Sequence, residues 1–239
     1  MNVPPTDPAN PDPATERRNF YGRVRGKTLR SSQKTYLAED LAALSLPGVS
    51  RADNPDRRPA DLSRFGDRPL WVEIGFGGGE HLLHMAQRYP QVALIGCEPF
   101  VNGIAMLLGK VRAAAVENLA IHPGDARDLF DVLPTGSVHK AFLNYPDPWP
   151  KSRHHRRRFV TPAYLGALAR VLAPGAEFRV ATDIADYVRQ TLAEVPAAGF
   201  DLVAQGATPW NDWLSTRYEI KALREGRPPH YLTFRRTAS

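Results

Sequence analysis

Short apolar runs alternate with longer amphipathic runs from residue 69 to the C-terminus, and this alternation constrains the fold more than any other feature of the chain. Short apolar runs bounded by Gly, Pro or an acid are typical of buried strands, whereas apolar residues three or four positions apart are typical of helices. Strands that alternate with helices form a mostly parallel sheet covered by helices on both faces. The sequence therefore predicts a doubly wound α/β domain over residues 69–239.

The loops that follow the predicted strands carry the least ordinary residues of this domain. Strand after strand ends at glycines, at an acid or at a proline. In open α/β sheets, ligands bind at these carboxyl ends of the strands, so the loops are the first place to look for a site. The predicted strands span residues 70–75, 92–97, 119–122, 138–143, 176–182 and a late antiparallel pair, 200–205 with 231–235, and the predicted helices span 79–88, 101–118, 126–133, 162–172 and 184–195.

The N-terminal part of the chain has a different composition. Residues 1–16 contain five prolines and almost no apolar side chains, so they are predicted to be a disordered tail. Residues 17–68 are predicted to be a basic arm and a linker, because seven cations and no acid lie between Arg17 and Lys34. With a net charge of +6 and a pI near 9.6, the arm favours a polyanionic partner. The alternative is a solvated arm that binds nothing.

Composition also bears on the class of protein. The single cysteine, Cys97, excludes a disulfide framework and a cysteine-based zinc site. The N-terminal residues lack the apolar core of a signal peptide, and no apolar run approaches membrane-spanning length. We therefore expect a cytoplasmic protein without a membrane segment.

A glycine-rich loop, residues 73–79 with the sequence EIGFGGG, follows the first predicted strand and precedes the first helix of the domain. Glycines at Gly75 and Gly77 allow a ligand to approach the backbone beside the N-terminus of that helix. The loop lacks the lysine of a phosphate-binding loop, so nucleoside triphosphates are not expected. Glu98 ends the next strand, where an acid is placed to bind ribose hydroxyls.

Two further acids narrow the class of ligand. Glu73 lies just before the glycines, where its charge would repel a pyrophosphate and suit a cationic group such as an amino-acid ammonium. Asp125 follows the third strand, where it can accept a hydrogen bond from an adenine amino group. Ribose, adenine and an amino-acid group together describe S-adenosylmethionine rather than NAD. The alternative for each acid is a helix N-cap, above all for Asp125.

The fourth strand leads into residues 144–151, with the sequence NYPDPWPK. Three prolines stop the strand and forbid a helix, which predicts a stiff loop that presents Asp147 beside Trp149. Trp149 could stack on a nucleic-acid base or cap the sheet as a core aromatic. The cations that follow favour a phosphate clamp over a solvated helix start. His154 and His155 have no third ligand at metal spacing, so no metal is expected.

These motifs, in this order, resemble those of the bacterial tRNA (guanine-N7-)-methyltransferases over residues 17–236. The resemblance also includes ATD at residues 181–183 and TRYE at residues 216–219. It implies a Rossmann-like class I S-adenosylmethionine-dependent methyltransferase. It further implies methyl transfer to N7 of a guanosine in the variable loop of tRNA, position 46 in tRNA numbering.

The resemblance also implies roles for individual residues, with tRNA as partner, no metal and no obligate protein partner. Asp147 looks like the catalytic residue. The cofactor residues would be Glu73, Gly75, Gly77, Glu98, Asp125 and Asp147, the substrate residues Lys151, Asp183, Thr216, Arg217, Tyr218 and Glu219, and the RNA-binding residues Arg153, His154, His155, Arg156, Arg157 and Arg158.

Three other functions stay open at this point. Asn144 resembles the Asn with which aminomethyltransferases bind an exocyclic amine, so an adenine or cytosine aminomethyltransferase is one rival. A non-catalytic RNA-binding relative is another, although the intact set of acids argues against it. An NAD-dependent dehydrogenase is the third, and Glu73 disfavours it because its charge would repel the pyrophosphate.

Overall fold

The computed structural model describes residues 21–114 and 116–238, so the predicted tail and the first cations of the arm lie outside the described residues. The strands are β1 (Leu70–Ile74), β2 (Ala93–Cys97), β3 (Leu119–His122), β4 (Val138–Asn144), β5 (Leu172–Thr182), β6 (Phe200–Gly206) and β7 (His230–Arg236). The helices are α1 (Ser31–Glu39), α2 (Leu41–Leu44), α3 (Glu80–Arg88), α4 (Val101–Val111), α5 (Ala126–Val132), α6 (Pro162–Val171), α7 (Ala185–Ala197) and α8 (Arg217–Arg224), with 3-10 helices at Ser63–Phe65 and Ser152–Arg157.

One seven-stranded sheet has the order β3-β2-β1-β4-β5-β7-β6. The first five strands in this order are parallel, and β7 runs antiparallel to both β5 and β6. The predicted doubly wound sheet with a late antiparallel pair is therefore confirmed. Because the chain moves outward in one direction from β1 to β3 and in the other from β4 onward, the carboxyl ends of β1 and β4 form the switch point at which such sheets bind ligands.

Two apolar layers cover the sheet, one on each face. On one face, side chains such as Val72 and Phe178 pack against α5, α6 and α7. On the other face, Phe142 packs with Leu82 of α3 and Leu107 of α4. The parallel strands are buried on both faces, which explains why they appear in the sequence as unbroken apolar runs.

The boundaries of several elements differ from those predicted. α4 ends at Val111 rather than near Asn118. The Asn118 amide is buried and donates to the carbonyls of Ala86, Tyr89 and Val92, which ties the end of α3 to the start of β2 and takes Asn118 out of the helix. α8 is a further helix that the strand and helix pattern did not predict.

The segment that was expected to be a linker contributes to the core. Val49 and Phe65 are buried in the apolar layer beneath α5. The Ala60 amide donates to the carbonyl of Val132 at 2.9 Å. Isolated apolar residues among prolines and charges have no periodicity, so the sequence pattern could not identify them as core residues.

Phe65→Ala should lower the free energy of unfolding by about 3–5 kcal/mol, the usual effect of truncating a buried aromatic side chain. A flexible linker residue would have almost no effect. Denaturant unfolding measures the difference, with Asp67→Ala as a control because Asp67 is exposed in the same segment. Equal stabilities of the two variants would contradict the packing of this segment.

Candidate active site

A cavity of about 750 Å³ opens at the carboxyl ends of β1, β2 and β4. Its size suits a nucleoside-sized ligand. The expected residues Gly75, Gly77, Glu98, Asp125 and Asp147 all line it. The glycine loop, the ends of two further strands and the proline-rich loop thus meet in one cleft, although they are far apart in the sequence.

The glycine loop places its backbone against this cleft. Gly75 and Gly77 have φ angles of +70° and +55°, a left-handed conformation that side chains with a Cβ rarely adopt. A Cβ at Gly75 would meet no atom within 4 Å, and a Cβ at Gly77 would lie 3.0 Å from the ring of Tyr218. The loop therefore leaves open space where a ligand can approach the backbone, with α3 beginning directly behind it.

Glu98 is fixed at the end of β2 between the glycine loop and α4. Its two carboxylate oxygens accept hydrogen bonds from the amides of Gly77, at 2.6 Å, and Phe100, at 2.9 Å. Burial raises the pKa of Glu98 to about 7, although these two hydrogen bonds act in the opposite direction. The carboxylate is thus held in the cleft in a fixed orientation.

Asp125 is a helix N-cap, the alternative that the sequence left open, and it also lies at the cleft. It caps α5, because its carboxylate accepts from the amide of Arg127 at 2.9 Å, and it forms an ion pair with the Arg127 guanidinium at 2.6 Å. The same residue lines the cleft. Arg127 in turn lies 4.3 Å from the ring centroid of Tyr164, so the cap is anchored to the wall of the cavity.

Glu73 does not line the cavity. It is 2% exposed and lies beneath the glycine loop, on the α3 side of the sheet. Its carboxylate is 2.8 Å from Nδ1 of His81 and accepts from the amide of Asn144 at 3.4 Å. Strand alternation explains this position, since successive residues of β1 face opposite sides of the sheet and the sequence does not reveal which side Glu73 faces.

Asp147 faces the cleft from the loop after β4. Burial against the cavity wall raises the pKa of its carboxyl, and the positive charge of Arg23 opposes that rise. The loop is conformationally unusual, because Tyr145 and Trp149 have φ angles of +50° and +40°. Trp149 lines the cavity rather than the core of the sheet, so it is not the core aromatic considered above. Lys151, the next cation, is exposed beyond the cleft.

The basic run divides into exposed and buried side chains. Arg153 and Arg156 are exposed. Arg157 lies over the rings of Tyr21 and Trp149, with its guanidinium carbon 4.8 Å and 5.0 Å from the ring centroids. The other members contact neighbouring side chains: His154 meets the edge of Trp149, Nε2 of His155 lies 3.1 Å from the Asp186 carboxylate, and Arg158 is 1% exposed.

The residues of α8 occupy different environments. Thr216 caps the helix by accepting from the amide of Glu219. Arg217 forms an ion pair with Glu80 across the glycine loop. Tyr218 lines the cleft, and burial raises the pKa of its hydroxyl. The T-x-x-E spacing of Thr216 and Glu219 is a capping-box signature, so the sequence did contain a signal for this helix start.

Two further expected substrate residues, Glu219 and Asp183, also have partners within the chain. The buried carboxylate of Glu219 accepts from the hydroxyls of Tyr145 and Tyr231 and from Nε1 of Trp213. Asp183, after β5, forms an ion pair with Arg227. These contacts give both residues a structural role that their position in the motifs did not reveal.

The cavity also contains residues that sequence reasoning did not assign to it. Tyr21 and Arg23 come from the basic arm, where aromatics and cations were interleaved, so a weak signal existed. Phe100 and Tyr164 carried none, because they look like ordinary apolar positions at a helix start and on a helix face. Among residues 21–114 and 116–238, no group of three His, Cys, Asp or Glu side chains could hold a metal, and no helix is long and apolar enough to cross a membrane.

Comparison with known proteins supports the fold. The chain resembles the crystal structure of the 16S rRNA methyltransferase KamB, with a TM-score of 0.54, 18% identity and coverage of 79% of this chain and 94% of that one. An antibiotic-related methyltransferase gives a TM-score of 0.52 at 17% identity, covering 76% of this chain and 98% of that one. The family described as "Putative methyltransferase" matches residues 67–232. Together with the cleft, these findings define the class as S-adenosylmethionine-dependent methyltransferases.

More similar relatives identify the family. A tRNA (guanine-N(7)-)-methyltransferase of Cereibacter sphaeroides is 74% identical over 220 residues, which are 92% of this chain and 91% of that protein. One of Paracoccus denitrificans is 70% identical over 227 residues, 94% and 97% of the two chains. The chain belongs to the tRNA (guanine-N7-)-methyltransferase family, and the resemblance seen in its motifs is confirmed.

The cleft fits S-adenosylmethionine, the cofactor of this class. Open backbone at Gly75 leaves room for the ligand, and the fixed carboxylate of Glu98 can accept hydrogen bonds from two ribose hydroxyls. The glycine loop has no lysine of the kind that binds nucleoside triphosphates. Family membership, rather than the charges of the cleft, argues against NAD.

Affinity for S-adenosylmethionine should increase with pH. We expect ribose hydroxyls of the ligand to donate to Glu98, so binding should favour its ionised form, and its pKa of about 7 places this ionisation between pH 6 and pH 8. Kd should therefore fall about tenfold between pH 6 and pH 8, as expected for a single group with that pKa. Calorimetry at several pH values measures this change. Glu98→Gln should bind more weakly and without the pH dependence; a wild-type Kd that does not change with pH would contradict this role.

Proposed function

We propose that this enzyme transfers the methyl group of S-adenosylmethionine to N7 of a guanosine in the variable loop of tRNA, position 46 in tRNA numbering. The product would be 7-methylguanosine. Family membership supports the reaction class and the tRNA substrate. One observation supports the site above all others: Asp147 and the glycine loop line the same cleft, and exposed cations lie beyond it. We further propose that the enzyme acts in the cytoplasm and without an obligate protein partner.

The cofactor end of the cleft would work as follows. S-adenosylmethionine supplies an electrophilic methyl group when bound. Glu98 would hold the ribose hydroxyls, and Asp125, kept in place by its cap on α5, would accept from the adenine amino group. Glu73 would act from beneath by fixing Asn144 and His81 under the loop rather than by touching the ligand, since those two partners already use its carboxylate.

Asp147 would orient the guanine and stabilise its developing charge. N7 of guanine has an in-plane lone pair and no proton, so the reaction needs alignment rather than a general base, and alignment can supply about 7–11 kcal/mol. A carboxylate in the cleft can accept from guanine N1–H and N2–H₂ and stabilise the positive charge that reaches the purine. Asp183 contributes less directly, because Arg227 already neutralises it.

The aminomethyltransferase alternative depended on Asn144. That side chain is 7% exposed and does not line the cleft, and its amide oxygen, the atom that would accept from an exocyclic amine, is buried. Mass analysis of nucleosides from tRNA treated with the enzyme decides between the two. We expect 7-methylguanosine and no N6-methyladenosine or N4-methylcytidine.

Asp147→Asn should lower kcat by about 10²–10³-fold, the usual effect of removing one electrostatic stabiliser of a transition state. The protein should still fold and bind S-adenosylmethionine, because the glycine loop and Glu98 are unchanged. Single-turnover formation of 7-methylguanosine measures the rate, with Asp67→Asn as a control at an exposed position outside the cleft. An undiminished rate in Asp147→Asn would refute the electrostatic role.

The exposed cations Lys151, Arg153 and Arg156 would bind phosphates of the tRNA. Affinity should then fall steeply as salt increases, and Arg156→Ala should reduce the slope of log K against log[salt] by about one. Filter binding over a salt series measures the slope. Arg64→Ala is a suitable control, because Arg64 precedes β1 and so lies toward the amino end of that strand, opposite the carboxyl ends that form the cleft. Equal slopes for the wild type and Arg156→Ala would argue against a phosphate contact.

A further inference from the structure

Arg158 ends the basic run, but its side chain is fully enclosed. The residue is 1% exposed and directly follows the 3-10 helix Ser152–Arg157. A guanidinium keeps its charge in proteins and is almost never buried unless its donors are satisfied. The guanidinium donors of Arg158 must therefore have hydrogen-bond partners inside the domain, and these partners indicate what the residue does.

The guanidinium binds two backbone carbonyls of the loop that carries Asp147. Nε donates to the carbonyl of Pro148 at 2.9 Å, and Nη2 donates to the carbonyl of Trp149 at 3.3 Å. The planar fork of an arginine can reach two such acceptors at once, which a lysine ammonium cannot do with the same geometry.

The remaining donors bind α7, on the other side of the guanidinium. Nη2 donates to the carboxylate of Asp186 at 2.7 Å, and Nη1 donates to Oε1 of Gln190 at 3.0 Å. The ring of Tyr187 lies against the same group, with its centroid 5.2 Å from the guanidinium carbon. Arg158 thus connects the loop to a helix that is anchored in the core.

The loop needs such a connection because it cannot hold itself. Pro148 and Pro150 lack amide hydrogens, so the loop has few donors for its own carbonyls. Trp149 has a φ angle of +40°, a conformation that side chains adopt only when the surroundings impose it. Asp147 directly precedes the first carbonyl that Arg158 binds, so the position of its carboxylate depends on these hydrogen bonds.

We propose that Arg158 is a positioning residue for methyl transfer, which holds the Pro148–Trp149 backbone so that Asp147 and Trp149 face the cleft. It does not contact RNA, because its guanidinium is enclosed and Asp186 balances its charge. The Asp186 carboxylate also lies 3.1 Å from Nε2 of His155, in the 3-10 helix that presents the exposed cations. This inference rests on the role proposed above for Asp147.

Arg158→Lys tests the proposal, because it keeps the charge and removes the fork. We expect kcat to fall by about 10- to 100-fold, the effect of a small misplacement of reacting groups. KM for tRNA, the salt dependence of tRNA binding and Kd for S-adenosylmethionine should stay within about twofold, because the exposed cations and the glycine loop are unchanged.

Arg170→Lys is the matched control. Arg170 also donates to backbone carbonyls, those of Leu133 and Phe130, but at the end of α5 and away from the cleft. Both substitutions remove a structural guanidinium. A fall in kcat confined to Arg158→Lys therefore supports positioning, and equal kcat values for the two variants would overturn it.

The readouts separate the proposal from its rivals. A raised KM and a reduced salt slope with unchanged kcat would show that Arg158 contacts phosphate and would overturn the proposal. A lower melting temperature with unchanged kcat would show a structural role only and would also overturn it. If Arg158→Lys does not fold, Asp186→Asn decides the question, because it weakens the same connection from a partly exposed side chain; a kcat reduced several-fold supports the proposal and a normal kcat refutes it.

The roles of Arg158 and Asp147 can fail independently. Full activity in Asp147→Asn together with a low kcat in Arg158→Lys would refute the electrostatic role and leave positioning intact, with Trp149 as the group that is positioned. Loss of activity in Asp147→Asn with normal kcat in Arg158→Lys would refute positioning alone.

Discussion

The loop between β4 and the 3-10 helix Ser152–Arg157 has few backbone donors of its own, so side chains from other segments must hold its conformation. The arrangement of the cleft depends on these contacts. Prolines remove its donors, and two of its residues have positive φ angles. Two buried charged groups from outside the loop supply what is missing. Glu219 of α8 accepts from the hydroxyl of Tyr145 at the start of the loop, and Arg158 donates to carbonyls at its centre. Burial of each charged group carries a free-energy cost of desolvation. Hydrogen bonds offset this cost, because nearly every donor of Arg158 and every carboxylate oxygen of Glu219 has a partner.

The same contacts connect the two halves of the cleft. α8 places Glu219 under the loop and Tyr218 against Gly77, so one short helix contacts both the cofactor side and the loop side. Arg217 adds an ion pair to Glu80 at the start of α3. The cleft is therefore assembled from segments far apart in sequence, and a change in α8 should reach both the cofactor and the base that is methylated.

Sequence reasoning predicted the sheet, the glycine loop and the position of Glu98, because these follow from strand periodicity and from the rule that parallel strands end at a common edge. It could not predict that Glu73 lies beneath the loop, since neighbouring strand residues face opposite sides of the sheet and the sequence does not show which side Glu73 faces. It also grouped Arg158 with Arg153 and Arg156, because a run of cations has no internal signal for burial. Partners that lie 28 and 32 residues later, Asp186 and Gln190, decide that Arg158 turns inward. The core positions before β1 were also missed, because isolated apolar residues show no periodicity in the sequence.

Charged groups in and around the cleft suit both ligands of this family. Glu98, Asp125 and Asp147 line the cleft and offer acceptors to a cationic sulfonium, while Arg23 and Arg157 line it as well and partly balance these acids. The exposed cations lie outside it, where they can bind the tRNA backbone. Arg157, over the rings of Tyr21 and Trp149, stands at the boundary between the two regions. When a nucleotide approaches this boundary, the exposed cations outside the cleft attract its phosphates. The carboxylates inside the cleft can accept from the hydrogen-bond donors of its base. The exposed cations can therefore hold the phosphates outside the cleft while the carboxylates inside it accept from the base, which is the arrangement that methylation of N7 requires.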